Sequence, residues 1–145
     1  MDLRDINSIG DQTVERLVSH RVCPELRPLG LGTVGTSFAQ PGFEFVRRRS
    51  NIGHILACVD GEGEVLLAGQ WCRLAPGEAY LSPTGCLHAY AARGTWQVVW
   101  AHVEVDAQAN YGIEAGGPRV VVGLPTELPE VVRALDREVL GRNEA

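Results

Sequence analysis

Apolar and polar positions along this chain alternate in short runs, cut at intervals of roughly eight to twelve residues by Gly or Pro, which is the signature of antiparallel strands joined by tight turns. Leu29–Phe38 reads as an irregular, glycine-containing strand. Phe43–Arg49 alternates, with Phe43, Phe45, Arg47 and Arg49 on one face and Glu44, Val46 and Arg48 on the other. His54–Val59 is an apolar run, and Gly61-Glu62-Gly63 reads as the turn of a hairpin whose second arm is Glu64–Leu67. Trp71–Leu74 and Glu78–Ser82 follow, the latter framed by the turn signals Pro76-Gly77 and Pro83-Thr84-Gly85, after which Cys86, His88 and Tyr90 alternate onto one face. Beyond Arg93-Gly94, Thr95–Val105 is the longest strand, with Trp96, Val98, Trp100 and His102 on one face and Gln97, Val99, Ala101 and Val103 on the other. Arg119–Val122 closes the series, and the whole predicts a mainly β, closed or sandwich-like antiparallel architecture of jelly-roll type.

Two segments carry a helical period instead. Asp11–His20 places Val14, Leu17 and Val18 on one face behind an Asp11 cap and predicts a short N-terminal helix. Pro125-Thr126 opens a C-terminal α-helix to about Gly141, with Leu128, Val131, Val132, Leu135 and Val139 on one face, a Thr126 cap, and Gly141 where a helix stop belongs. The predicted organisation is an N-terminal arm with a short helix over residues 1–28, a barrel over 29–123 and a C-terminal helix over 124–145.

Composition narrows the function. At 145 residues the chain suits one domain, and no apolar run reaches the length of a membrane span. The start, Met1-Asp2-Leu3-Arg4-Asp5, has no basic-then-apolar leader pattern, so a cytoplasmic location is expected. A net charge of −5 argues against direct grip on nucleic acid, which needs a basic face. All 13 basic residues are Arg, so lysine chemistry such as Schiff-base formation is excluded. Cys23, Cys58, Cys72 and Cys86 show no Cys-x-x-Cys spacing and read as reduced core thiols.

Gly77, Pro83, Gly85 and His88 fit the second signature of the cupin superfamily, Gly-x5-Pro-x-Gly-x2-His-x3-Asn, at every position but the last, which is Ala92. The wider stretch Ile55–Val103 carries Gly-x-Gly, Leu-x-Pro-Gly-Glu, Pro-x-Gly-x-x-His-x-Tyr and Trp-x-x-x-Trp. In this it resembles the N-terminal effector-binding domain of AraC-type transcription regulators. That resemblance implies a cupin-type β-barrel that binds a small-molecule effector, such as a sugar or small organic acid. It also implies a homodimer paired through the helix after the barrel, and DNA contact through a C-terminal domain missing from this chain. The N-terminal arm that folds over ligand in the family corresponds loosely to Thr33 and its neighbours.

The first cupin signature, His-x-His-x3–4-Glu-x6-Gly, is informative by its absence. Counting back from Gly61 puts the glutamate at His54 and the two histidines at Arg47 and Arg49. A guanidinium has no lone pair to donate and repels a divalent ion, so no metal or other cofactor is expected. The resemblance instead makes Arg47 the counterpart of a sugar-binding arginine, puts Tyr90 at a sugar contact, and sets Trp100 where a tryptophan stacks on the sugar ring. Arg49, His54 and His88 complete the candidate ligand-binding set, against the plainer readings of a solvated Arg run and of core residues satisfied by local hydrogen bonds. Two rivals stand beside the sensor. One is a stand-alone cupin enzyme of sugar epimerase or isomerase type using His88 and Tyr90, which lacks an internal carboxylate to orient the histidine. The other is a metal cupin with ligands from His54, His88 and His102.

Overall fold

In the computed structural model, residues 4–123 are described. They form nine strands: β1 (Ile6–Ser8), β2 (Val14–Ser19), β3 (Leu31–Ala39), β4 (Glu44–Arg47), β5 (Gly53–Leu67), β6 (Gln70–Arg73), β7 (Glu78–Ser82), β8 (His88–Val103) and β9 (Arg119–Val122). Every pairing is antiparallel. The expected helix Thr126–Gly141 lies outside the described residues.

The two long strands β5 and β8 organise the molecule, because each contributes one half to each of two layers. Trp96–Val103 of β8 lies between β3 and the first half of β5, and that layer extends to β2 on one side and through β7 to β9 on the other. His88–Ala91 of β8 lies between β4 and Glu64–Val65 of β5, and this smaller layer extends to β1 and β6. The interior between them holds Phe43, Phe45, Leu56, Val65, Leu74, Tyr80, Tyr90, Trp96, Val98 and Trp100. Tyr80 ties the layers together: its hydroxyl donates to the Leu66 carbonyl at 2.7 Å and accepts from the Ala89 amide at 3.3 Å. The outer face of the larger layer is also buried, with Ile55, Val99, Ala101 and Val103 packed against Leu26 of the 3-10 turn Pro24–Leu26 and Ala107 of the turn Val105–Tyr111. Burial on both faces is why His54–Val59 and Val98–Val103 read as nearly continuous apolar runs.

Two expectations are corrected. Val14–Ser19 is not helical but an outer strand in register with β3, Val14 opposite Phe38 and Ser19 opposite Thr33. Its Val14 and Leu17 are more than half exposed, and of the apolar stripe that suggested a helix only Val18 enters the core. Thr33 accordingly sits in a paired strand, not in an arm. The second correction is at Gly61-Glu62-Gly63, which is not a hairpin turn: β5 runs through it for 15 residues, and β8 likewise runs through Arg93-Gly94. Both strands bend together there, with register shifts between Cys58 and Asp60 and between Gly61 and Gly63. Trp96 is the reason. A Cβ on Gly63 would lie 2.1 Å from its indole ring, and one on Gly61, where φ is +90°, would lie 2.0 Å from the Thr95 carbonyl oxygen. The fully buried indole fills the inside of the bend and donates Nε1–H to Cys58 Sγ at 3.2 Å. The hairpin turn lies at Ala68-Gly69, between β5 and β6, where the sequence also signals one.

Gly63→Ala should therefore lower the urea unfolding midpoint by the equivalent of about 1–3 kcal/mol, the usual cost of overpacking a core. Gly94→Ala, whose Cβ would meet Glu62 only at an ordinary 3.7 Å, should stay close to the parent. Equal midpoints for the two variants would contradict this account of the bend.

Candidate ligand-binding site

The inward face of β4 carries Phe45 and Arg47, preceded by Phe43, and β8 carries His88, Tyr90, Trp100 and His102 on its inner face, with Arg47 in register with His88 and Phe45 with Tyr90. Strand parity alone thus sends one guanidinium into an aromatic interior. Arg47 Nη1 lies 3.1 Å from His88 Nε2 and 3.2 Å from the Tyr90 hydroxyl oxygen. Its Cζ sits 5.0 Å from the Phe45 ring centroid and 6.0 Å from that of Tyr90, within reach of cation–π attraction. Arginine can only donate, so His88 Nε2 must be the acceptor; His88 is therefore the neutral tautomer with its proton on Nδ1. Tyr90 accepts from the same guanidinium and keeps its own O–H to offer.

Behind this pair lies a stack of rings. His54 is 5.3 Å from His88, 5.4 Å from Tyr90 and 5.4 Å from His102, measured between centroids, and is nearly parallel to Tyr90 at 8°. His54 and His88 are fully buried. Among the described residues, both ring nitrogens of His54, Nδ1 of His88 and Oγ of Ser82 have no hydrogen-bond partner. Burial, followed by the neighbouring His88, His102 and Arg47, holds His54 well below the ordinary histidine range. Burial and then Arg47 push His88 down to about 3; burial and then Arg47 push His102 to about 4. Burial raises Tyr90, opposed by Arg47.

Two chambers open next to Arg47. The inner one, about 170 Å³, is lined by Phe43, Phe45, Arg47, Tyr90, Trp100 and His102 from the barrel and by Asn7, Ile9 and Glu15 from the N-terminal segment. The outer one, about 340 Å³, shares Asn7, Arg47 and His102 and is completed by Asp5, Ile6, Val46, Arg48, Arg49 and Ser50–Ile52. Trp100 is pinned by a relay: its Nε1–H donates to Ser37 Oγ at 2.9 Å, and that hydroxyl donates to Glu15 Oε2 at 2.7 Å. Gly35 makes room for the indole, since a Cβ there would come within 2.5 Å of Trp100 Cζ2.

Of the six residues expected from sequence, Arg47, Tyr90 and Trp100 meet in the inner chamber. His88 and His54 lie beneath it as buried support. Arg49 follows the end of β4, is exposed, and lines only the outer chamber. Sequence patterning does not single out Glu15, Asn7 or Ile9; the helical reading of Asp11–His20 hides Glu15, although Glu15, Leu17 and Ser19 already alternate with Val14, Arg16 and Val18.

The residues do not fit the metal of metal-binding cupins. Two ligand positions are guanidinium-bearing, and the nitrogen that His88 would offer is taken by Arg47. Among the described residues no three His, Cys, Asp or Glu side chains are placed to hold a metal ion, which includes the set His54, His88 and His102.

This is a cupin-type barrel whose polar interior is built around a guanidinium. Solved structures of the same fold include a cupin 2 conserved barrel protein from Leptotrichia buccalis, 11% identical with a TM-score of 0.52 over 69% of this chain and 44% of that one. Another is a conserved protein of unknown function from Streptococcus pyogenes, 23% identical with a TM-score of 0.52 over 66% and 76% of the two chains. A third is a variant of oxalate decarboxylase from Bacillus subtilis, 14% identical with a TM-score of 0.51 over 73% of this chain and 29% of that one. At such identities the likeness is one of fold. No curated protein sequence is a significant match. Residues 30–140 match the AraC-like ligand binding domain, and the chain belongs to that family.

The depressed histidines fix a pH dependence. In the unfolded chain they take up protons as pH falls through about 6.5, whereas folded His88 and His102 resist until about 3 and 4. Their contribution to stability is therefore complete above pH 6.5 and declines below it, by roughly 1.4 kcal/mol per pH unit for each histidine kept neutral. The urea midpoint should fall between pH 6.5 and 4.5 while the ring resonances of His54 and His88 stay unshifted above pH 5. Titration of either ring near pH 6.5 in the folded protein would refute this.

Proposed function

We propose that the chain is the small-molecule sensor of an AraC-type transcription regulator, taking a small polar effector such as a sugar into a metal-free barrel. The observation that carries the reading is Arg47: a guanidinium held inside the barrel by His88 and Tyr90, lining a chamber that Trp100 also lines. Guanidinium and phenol supply directional hydrogen bonds, and the indole supplies a flat apolar platform for a sugar ring. Family membership supports ligand binding; the regulatory setting, the cytoplasmic location and a homodimer belong to the proposal. Dimerisation would use the Leu128, Val132, Leu135 and Val139 stripe, outside the described residues, and DNA contact would need a further domain.

Such a domain makes and breaks no bonds. The effector would act by binding one arrangement of the regulator more tightly than another. The N-terminal segment is the natural reporter, because Asn7, Ile9 and Glu15 line the chamber while β1 is held to β4 by three residue pairs. The enzyme reading draws less support. His88 is bonded to a cation instead of a carboxylate and is held near 3, and burial raises Tyr90, so neither is poised to move protons near neutral pH.

In a thermal-shift screen of sugars, sugar acids and small aromatic acids, at least one compound should raise Tm by about 5 °C or more at concentrations well above Kd. Trp100→Ala should abolish the response, whereas Trp71→Ala, whose side chain packs with Arg93 away from the chamber, should retain it. Binding unaffected by Trp100→Ala would contradict the proposed site. Light scattering should give a dimer that Leu135→Glu converts to monomer.

A further inference from the structure

Resting on that reading of the barrel, we infer that the effector is an anion: a small hydroxylated carboxylic acid whose carboxylate pairs with Arg47 and whose hydroxyl groups reach Glu15. The first support is the charge state of Arg47. Both of its protein hydrogen bonds leave from Nη1 and go to neutral partners, His88 and Tyr90. Among the described residues no carboxylate pairs with it, and Nε and Nη2 make no hydrogen bond. A part-buried guanidinium without a counter-ion is costly, and its remaining donors form the planar fork that matches a carboxylate.

The second support is the approach. In a chain of net charge −5, Arg47, Arg48 and Arg49 all line the outer chamber. The acidic group lining it is Asp5, whose carboxylate is engaged by the Arg48 backbone N–H at 2.8 Å. None of the three guanidinium groups makes an ion pair among the described residues. The opening thus concentrates anions against the sign of the whole molecule.

The inner chamber sets the polarity of the bound acid. Its lining also includes the Glu15 carboxylate, already accepting from Ser37, which would repel a second anion and can accept from a hydroxyl. A ligand therefore seats its carboxylate at the Arg47 partition between the chambers and its hydroxylated body inward, with an apolar face on Trp100. Neutral His54, His88 and His102 contribute no competing charge behind the arginine.

The test uses matched pairs on the full 145-residue chain: glucuronate, galacturonate and gluconate against glucose, galactose and sorbitol, by thermal shift and titration calorimetry at low and high salt. At least one acid should bind at least tenfold more tightly than its neutral partner. The preference should weaken with salt, vanish in Arg47→Met and survive in part in Arg47→Lys; Glu15→Gln, which removes a repelling charge and keeps an acceptor oxygen, should leave the charge preference in place. Because Arg47→Met removes the partner of a buried histidine, its folding is checked by circular dichroism, and the wild-type comparison stands without it. A neutral sugar binding as well as its acid, or an acid response intact in folded Arg47→Met, overturns the anion inference while leaving the sensor reading in place. Silence from both series counts against both.

Discussion

The hydrogen bond from Arg47 to His88 is the constraint on which the site depends. Strand alternation on β4 puts a permanent cation inside a barrel, where an uncompensated charge is expensive, and the barrel answers with neutral acceptors and aromatic faces instead of a carboxylate. That choice fixes the histidine tautomer and, with burial, keeps the ring stack behind it uncharged. It also sets this interior apart from that of a metal-binding cupin, because the His88 Nε2 lone pair is already engaged by Arg47.

From this follows a division of labour between the two halves of the barrel. β8 delivers His88 and Tyr90 to the arginine from its first half and Trp100 to the chamber from its second, and it can do so only because the strand bends instead of breaking. The bend is held by Trp96 seated against Gly61 and Gly63. One strand thereby supplies both the phenol and the indole that line the chamber. β2, outermost in the larger layer, supplies the carboxylate that pins Trp100 through Ser37.

Much of this is legible in the sequence, for reasons that also explain what is not. The inward sets Phe43, Phe45, Arg47 and Trp96, Val98, Trp100 follow from period-two alternation, which holds wherever no bulge interrupts a strand. The loss of metal ligands at Arg47 and Arg49 follows from residue chemistry. By contrast, Val14–Ser19 has apolar side chains on both parities, so a helical stripe and a strand are equally drawn in its six residues, and pairing with β3 across the sheet decides between them. Glu15 disappears from the candidate site with that choice. The glycines at 61 and 63 give the same local signal for a turn as for a bend, and the difference lies in an indole more than thirty residues away. Arg49 shares the parity of Arg47, but β4 ends before it, and strand ends are the least constrained part of such a pattern.

On the proposed reading Arg47 takes the place of a metal ligand and presents its charge to a small molecule instead. A crystal structure of the chain with its most stabilising compound decides the matter. It should show ligand density between Arg47 and Trp100, with the Arg47 bond to His88 kept and the free edge of its guanidinium on the ligand. A metal ion on His88 with Arg47 swung away, or a ligand bound outside the two chambers, would contradict it.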